Sequence, residues 1–226
     1  MKTIVIAIDG YSGTGKSSTA REVARQLGYV YVDSGAMYRA VTLYMGENGI
    51  DIRDEEEVKR ALEKIELTFA LNPSTGRSHI HLNGKDVEKE IRTPNVSQLV
   101  SQIAAIPEVR RKMVAQQQAY GSQGGIVMDG RDIATVVFPR AELKIFMIAD
   151  VAERARRREK ELNEAGILAD YKSILANLNE RDRLDTSRED SPLQMASDAI
   201  ELDTTSITFD QQVHQIVGMA RKRIGC

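Results

Sequence analysis

The run Gly10-Tyr11-Ser12-Gly13-Thr14-Gly15-Lys16-Ser17 constrains this chain more than any other stretch. Before it stands Ile4-Val5-Ile6-Ala7-Ile8, a short β-branched apolar run of the kind buried in a parallel sheet. After it, Ala20, Val23, Ala24 and Leu27 recur at helical spacing, which predicts a helix over 17–27. Strand, glycine loop and helix in this order make the P-loop pattern G-x-x-x-x-G-K-[ST]. Its glycines let backbone N–H groups converge on an anion, and the helix N-terminus adds its dipole. Lys16 is expected to lie outside the core and reach the β- and γ-phosphates, with the Ser17 hydroxyl facing Mg²⁺. The bland alternative is an ordinary glycine-rich turn, against which eight matching positions and both flanks argue. The expected ligand is a nucleoside triphosphate.

Such a site needs a core behind it, and 226 residues suffice for one substantial core or a core with an inserted lobe. The net charge of −2 is not that of a protein built to coat nucleic acid. The lone cysteine, Cys226, excludes an internal disulfide. No charged leader precedes Thr3 and no apolar run approaches membrane-spanning length, so a cytoplasmic protein with no membrane partner is expected.

A second strand, Tyr29-Val30-Tyr31-Val32, stops at Asp33-Ser34-Gly35, where a helix is predicted to begin on good N-cap residues. Arg39 shares a helical face with Gly35, with open space above the glycine. It reads either as a second phosphate clamp or as a solvated surface arginine. The character then changes. A charged helix over 54–64 precedes Leu67–Leu71, a turn at Asn72-Pro73-Ser74-Thr75-Gly76, the strand Ser78–Leu82 and the hairpin signal Asn83-Gly84. Hairpins within an α/β chain predict a separate antiparallel lobe at 63–102, inserted in a core of 1–62 and 103–226. His79 and His81 share a strand face and read as sheet residues rather than metal ligands. Thr93 and Pro94 open a further helix, and Pro107 another that carries Arg110 and Arg111.

The core pattern resumes at Ile126-Val127-Met128, a buried strand ending in Asp129-Gly130-Arg131-Asp132. Ligands bind beyond the carboxyl ends of such strands. Asp129 resembles the acid that helps to hold Mg²⁺, through water, in P-loop enzymes; exposed loop charges are the alternative. A strand over 143–148 leads into a basic helix on which Arg154, Arg157 and Arg158 share one side, either solvated or set to neutralise a transferred phosphoryl group. Arg181, Asp185 and Arg188 line one face if the helix over 171–183 continues, as a salt-bridged surface stripe or as ligands. A strand over 199–202 and a helix through Val213 and Ile216 close the chain.

Asp33-Ser34-Gly35-Ala36-Met37-Tyr38-Arg39, Glu90-Ile91-Arg92-Thr93, Asp129-Gly130-Arg131-Asp132 and Glu180-Arg181-Asp182, set around the P-loop, resemble the bacterial cytidylate kinases from Ile4 to the last helix. The resemblance implies an α/β P-loop nucleoside monophosphate kinase fold: a five-stranded parallel sheet flanked by helices, an antiparallel monophosphate-binding lobe, and a helical lid at about 153–190. It implies transfer of the γ-phosphoryl group of ATP to CMP or dCMP with Mg²⁺; a monomer is expected. ATP would lie on Gly10, Tyr11, Ser12, Gly13, Thr14, Gly15, Lys16, Ser17 and Ser18, and Mg²⁺ on Ser17 and Asp129. Arg39 and Arg131 would hold the CMP phosphate; Ser34, Arg181 and Asp185 would face the ribose; Ser101, Arg110, Asp132 and Arg188 the cytosine. Arg157 would be the lid arginine that reaches the triphosphate, making Lys16, Arg39, Arg131 and Arg157 the catalytic set. Tyr11 stands where many relatives have proline, Ala134 where glycine is common, and Ser18 where threonine is more frequent. A GTP switch would need Asn/Thr-Lys-x-Asp, and Asn83-Gly84-Lys85-Asp86 has the wrong order. A motor ATPase would want a glutamate after Asp129, where Gly130 stands. A kinase of UMP, AMP or another small acceptor is the nearer alternative.

Overall fold

Strand β1, Val5–Gly10, lies at the centre of a five-stranded sheet. The order across it is β2 (Val30–Asp33), β6 (Ile126–Gly130), β1, β7 (Leu143–Ile148) and β8 (Ile200–Asp203). Asp9 lies level with Gly130 on one side and Phe146 on the other, all in parallel pairing. The loop after β1 therefore leaves the sheet beside the carboxyl ends of both neighbours, where open α/β sheets bind ligands. The computed structural model describes residues 3–74, 76–122, 124–164 and 166–225; Thr75 of the expected turn and Cys226 lie outside the described residues.

The chain divides into two compact units, residues 1–32 with 120–226, and residues 33–119. In the first, Ile6, Ile8, Val127, Leu143, Ile145 and Met147 of the sheet pack on Ala20, Val23 and Ala24 of helix α1 (Lys16–Leu27). Val213, Ile216 and Val217 of α8 (Phe209–Ile224) join the same core. Each of the Val, Leu, Ile and Met side chains among them contributes about 1.5–3 kcal/mol when buried. Thr208 and Gln211 form a capping box at the start of α8, which fixes where that helix begins. Helices α6 (Val151–Glu164) and α7 (Tyr171–Ser187) pair through a small apolar cluster of their own, Ala155, Leu162, Ile174 and Leu178.

The second unit holds α2 (Ser34–Glu47), α3 (Glu55–Glu63), a three-stranded antiparallel sheet of β3 (Leu67–Asn72), β4 (Arg77–Leu82) and β5 (Lys85–Asp86), then α4 (Pro94–Ile103) and α5 (Pro107–Tyr120). Helix α2 packs on α4 and β4, which draws residues well before 63 into this unit. Asp54 caps α3 by accepting from the Glu56 and Glu57 amides. Asn83 and Gly84 both have left-handed φ, 50° and 80°, as a two-residue hairpin turn requires. His79 pairs with Asp86 at 2.7 Å, and no group of three metal-ligating side chains gathers anywhere among the described residues. No helix among them is long and apolar enough to cross a membrane.

Candidate active site

The loop between β1 and α1 is shaped mostly by its backbone. Gly10 has φ 148°, and a Cβ there would sit 2.1 Å from the Met147 carbonyl oxygen, so only glycine lets β1 turn off the sheet at this point. The Tyr11 carbonyl accepts from the Lys16 Nζ and from the Thr14 hydroxyl, both at 3.0 Å. Lys16 is consequently buried, 7% exposed, rather than clear of the core as its motif role suggested. Tyr11 and Ala134, two of the three departures from the family pattern, keep negative φ; the only non-glycine residues with positive φ among those described are Asn83 and Ser191. A side chain at either position therefore carries no backbone strain.

One arginine braces this loop from outside. Arg154, at the start of α6, donates from Nη1 to the Ser12 carbonyl at 3.1 Å, from Nε to the Ala149 carbonyl at 3.0 Å, and from Nη2 to Asp182 of α7 at 2.8 Å. Its guanidinium also lies 5.4 Å from the centre of the Tyr11 ring, within cation–π range. The expected shared face of Arg154, Arg157 and Arg158 is thus divided: Arg154 is buried in the brace, and Arg158 pairs with Glu161. Arg157 donates to the Thr204 carbonyl at 2.6 Å, and the Thr204 hydroxyl reaches the Thr14 carbonyl at 3.1 Å.

At the end of β6, Asp129 is buried and accepts two hydroxyls, Ser17 at 2.7 Å and Tyr31 at 2.8 Å, one on each carboxylate oxygen. Arg131 then pairs with Asp185 of α7 at 2.7 Å. Burial would raise the Asp185 carboxyl, but the Arg131 guanidinium, with help from Arg181 and Arg188, holds it below the ordinary carboxylate value. The same pairing outweighs burial at Arg131 and pushes its pKa up. Asp132 lies 3.7 Å from the Arg188 guanidinium, both almost fully buried. Arg188 is not on the helix: α7 ends at Ser187, and Arg188 is extended, with Nε donating to the Ser191 carbonyl at 2.6 Å. The expected i, i+4, i+7 stripe therefore stops at Asp185, and Arg188 reaches Asp132 from the following turn.

The remaining expected ligands lie in the second unit. Asp33 caps α2 by accepting from the Ala36 amide at 2.8 Å, and Ser34 behind it is buried. A Cβ on Gly35 would meet Arg39 Nη1 at 3.1 Å, so the arginine lies over the glycine as its spacing predicts. Ser101 on α4 and Arg110 on α5 are both buried; Arg110 donates to the Ala104 carbonyl at 3.3 Å and stands 5.9 Å from the Tyr38 ring centre.

A family model described as cytidylate kinase matches residues 6–222. The chain belongs to the cytidylate kinase family. A cytidylate kinase of Bacteroides thetaiotaomicron is 54% identical over 94% of each chain, and one of Parabacteroides distasonis is 49% identical over the full length of both. Among solved structures, an uncharacterized protein from Eubacterium ventriosum superposes with a TM-score of 0.52, 10% identity and coverage of 98% of this chain and 99% of that one. At that identity the likeness concerns the fold alone.

For a cytidylate kinase family member the Ser17–Asp129 pair is the natural place to test for Mg²⁺. It offers two hard oxygens side by side, and among the described residues no group of three metal-ligating side chains gathers, which fits an ion that prefers to keep water and substrate phosphate oxygens in its shell. Three residues at the site escaped the sequence reading. Tyr31 looked like an ordinary strand residue, Thr204 lay in an unremarked loop, and Asp9 extended an apolar run by one position. Asp9 is buried and accepts the Ile133 and Ala134 amides at 2.9 and 2.8 Å. Burial pushes its pKa up to about 7, opposed by these amides and by Lys16 and reinforced by the charge of Asp132. An acid directly before a P-loop glycine is the one signal that could have drawn attention to it.

Proposed function

We propose that this cytidylate kinase family member transfers the γ-phosphoryl group of ATP to CMP or dCMP, as a monomeric cytoplasmic enzyme, and that the residues above divide that work. The observation that carries the reading is the end of β6: level with the start of the P-loop, three of four successive residues, Asp129, Arg131 and Asp132, each make a polar engagement. Lys16 and the loop amides bind the β- and γ-phosphates, with ATP along residues 10–18. Ser17 and, through water, Asp129 would hold Mg²⁺, which when bound neutralises charge on the phosphate oxygens. Residues 63–102 are taken as the acceptor-binding lobe and about 153–190 as the lid.

Arg131 and Arg39 are assigned to the acceptor phosphate, and Ser34, Arg181 and Asp185 to the ribose. Ser101, Arg110, Asp132 and Arg188 are assigned to cytosine, whose amino donor beside two acceptors suits one carboxylate with hydroxyl and guanidinium donors. The acceptor phosphate oxygen is already anionic, so no protein base is required. It attacks the γ-phosphorus in line; the new P–O bond forms as the bond to the β–γ bridging oxygen breaks, and the electron pair leaves with ADP. Protein residues contribute positioning and charge neutralisation. Arg157 would exchange its bond to the Thr204 carbonyl for the triphosphate. An acceptor panel of CMP, dCMP, UMP and AMP with Mg·ATP, followed by ADP release, tests the reading. CMP and dCMP are expected to be the good acceptors; a preference for UMP or AMP would contradict it.

A further inference from the structure

Asp132 occupies the N-cap position of a short π-helical turn, Ile133–Val137. An aspartate there ordinarily folds its side chain back onto the first free amides of its own helix. Asp132 makes no such cap bond. The leading amides are already taken: Ile133 donates to Asp9 Oδ1 at 2.9 Å and Ala134 to Asp9 Oδ2 at 2.8 Å, from 124 and 125 residues away in the chain. Only the Asp132 carbonyl joins the turn, accepting from Val136 and Val137. Its carboxylate is turned instead toward Arg188, 3.7 Å away. Asp9 is 1% exposed, on the central strand, directly before Gly10. A carboxyl group this buried and bonded through both oxygens fixes the backbone it holds.

We infer that Asp9 is a positioning residue for acceptor recognition: by capping the turn in place of Asp132, it keeps the Asp132 carboxylate and the adjoining Arg131 aimed at the acceptor nucleotide. This rests on the reading of Arg131 and Asp132 as acceptor ligands. It also ties the acceptor loop to the strand that launches the P-loop, so both loops share one register.

Asp9→Asn keeps the volume but leaves a single acceptor oxygen, and its amide NH₂ faces one of the N–H groups. One leading amide is then open to Asp132. The expected result is a rise in the CMP dissociation constant of about ten- to a hundredfold, measured by calorimetry without ATP, and a fall in the CMP-to-UMP ratio of kcat/KM. Mg·ATP affinity should change by less than about threefold, because the Tyr11 carbonyl that holds Lys16 is untouched. Combined with Asp132→Ala, Asp9→Asn should have little further effect on the base ratio, since it acts through Asp132. A lowered melting temperature with unchanged CMP affinity and base ratio would make Asp9 a purely structural residue and overturn the inference. Should Asp9→Asn not fold, replacing the Ala134 amide by an ester removes one donor and no side chain; CMP affinity should then fall severalfold, and an unchanged value would overturn the inference. Asp132→Ala alone separates the layers. If it leaves the base ratio intact, the underlying reading fails and this inference with it; if it shifts the ratio while Asp9→Asn does not, only this inference fails.

Discussion

The P-loop and the charged residues after β6 meet the same problem, holding charge at the edge of a sheet, with opposite materials. In the P-loop the shape comes from the main chain. Glycine φ values let it turn, the Tyr11 carbonyl takes the Lys16 ammonium, and the side chains involved lie within a few residues of each other. After β6 the shape comes from side chains paired across long stretches of sequence: Arg131 with Asp185, Asp132 with Arg188, and Asp9 with the amides of 133 and 134. A backbone-built site tolerates changes among its neighbours, since its donors remain in the main chain. A site of buried pairs does not, because each lost partner strands a charge. The comparison implies that donor-side changes affect chemistry while sparing the fold, whereas acceptor-side changes affect recognition and stability together.

Lys16→Ala should show the largest effect. It removes a charge from the phosphates and leaves the loop backbone intact, with Thr14 still on the Tyr11 carbonyl. Turnover should fall by about a hundred- to a thousandfold, judged against single electrostatic donors elsewhere, while the melting curve stays native-like. A native melt with near-normal turnover would break the donor half of the comparison.

Arg154→Met tests the exception, a side chain that braces the backbone loop. Losing it leaves the Ser12 and Ala149 carbonyls without that donor and Asp182 without its guanidinium. Breaking a buried pair of this kind costs about 3–5 kcal/mol. Melting should drop by about 10 °C, and KM for Mg·ATP should rise more than KM for CMP. Equal changes in both KM values would show that the brace does not act through the P-loop.

The smallest effect concerns acid. Arg131 holds the folded Asp185 carboxyl below its unfolded value despite burial, so its stabilisation is fully present above about pH 4 and is lost as pH falls through the folded value. The stability gap between the wild-type protein and Asp185→Asn, followed by melting across that range, should narrow toward acid. A constant gap would mean that the pairing contributes no charge interaction.

The same contrast explains what could be read beforehand. Strand, loop and α1 were legible because their logic is contiguous. The seat of Arg39 over Gly35 followed from four-residue helical spacing. The acceptor roles came only through the family resemblance, since a stripe of Arg181, Asp185 and Arg188 also describes a solvated surface. Spacing put Arg188 on that face only if the helix persisted; α7 stops one residue earlier, and the chain turns back so that Arg188 bonds the Ser191 carbonyl. It also grouped Arg154 with Arg157, although packing buries one in the P-loop brace and leaves the other on Thr204. Asp9 and Tyr31 were invisible for the same reason: their partners lie 124 and 98 residues away, and no local pattern records such a pairing.

The central claim is that paired side chains, and Asp132 foremost, select the acceptor. A carboxylate accepts from the exocyclic amino group of CMP and repels the carbonyl oxygen that UMP presents there. Losing one partner of a buried polar contact costs about 1–3 kcal/mol, so Asp132→Ala should lower kcat/KM for CMP by roughly ten- to a hundredfold and that for UMP much less. Measuring both constants in the wild-type protein and the variant decides it: the account predicts that the CMP-to-UMP ratio shrinks, and a preserved ratio, even with both activities collapsed, would contradict it.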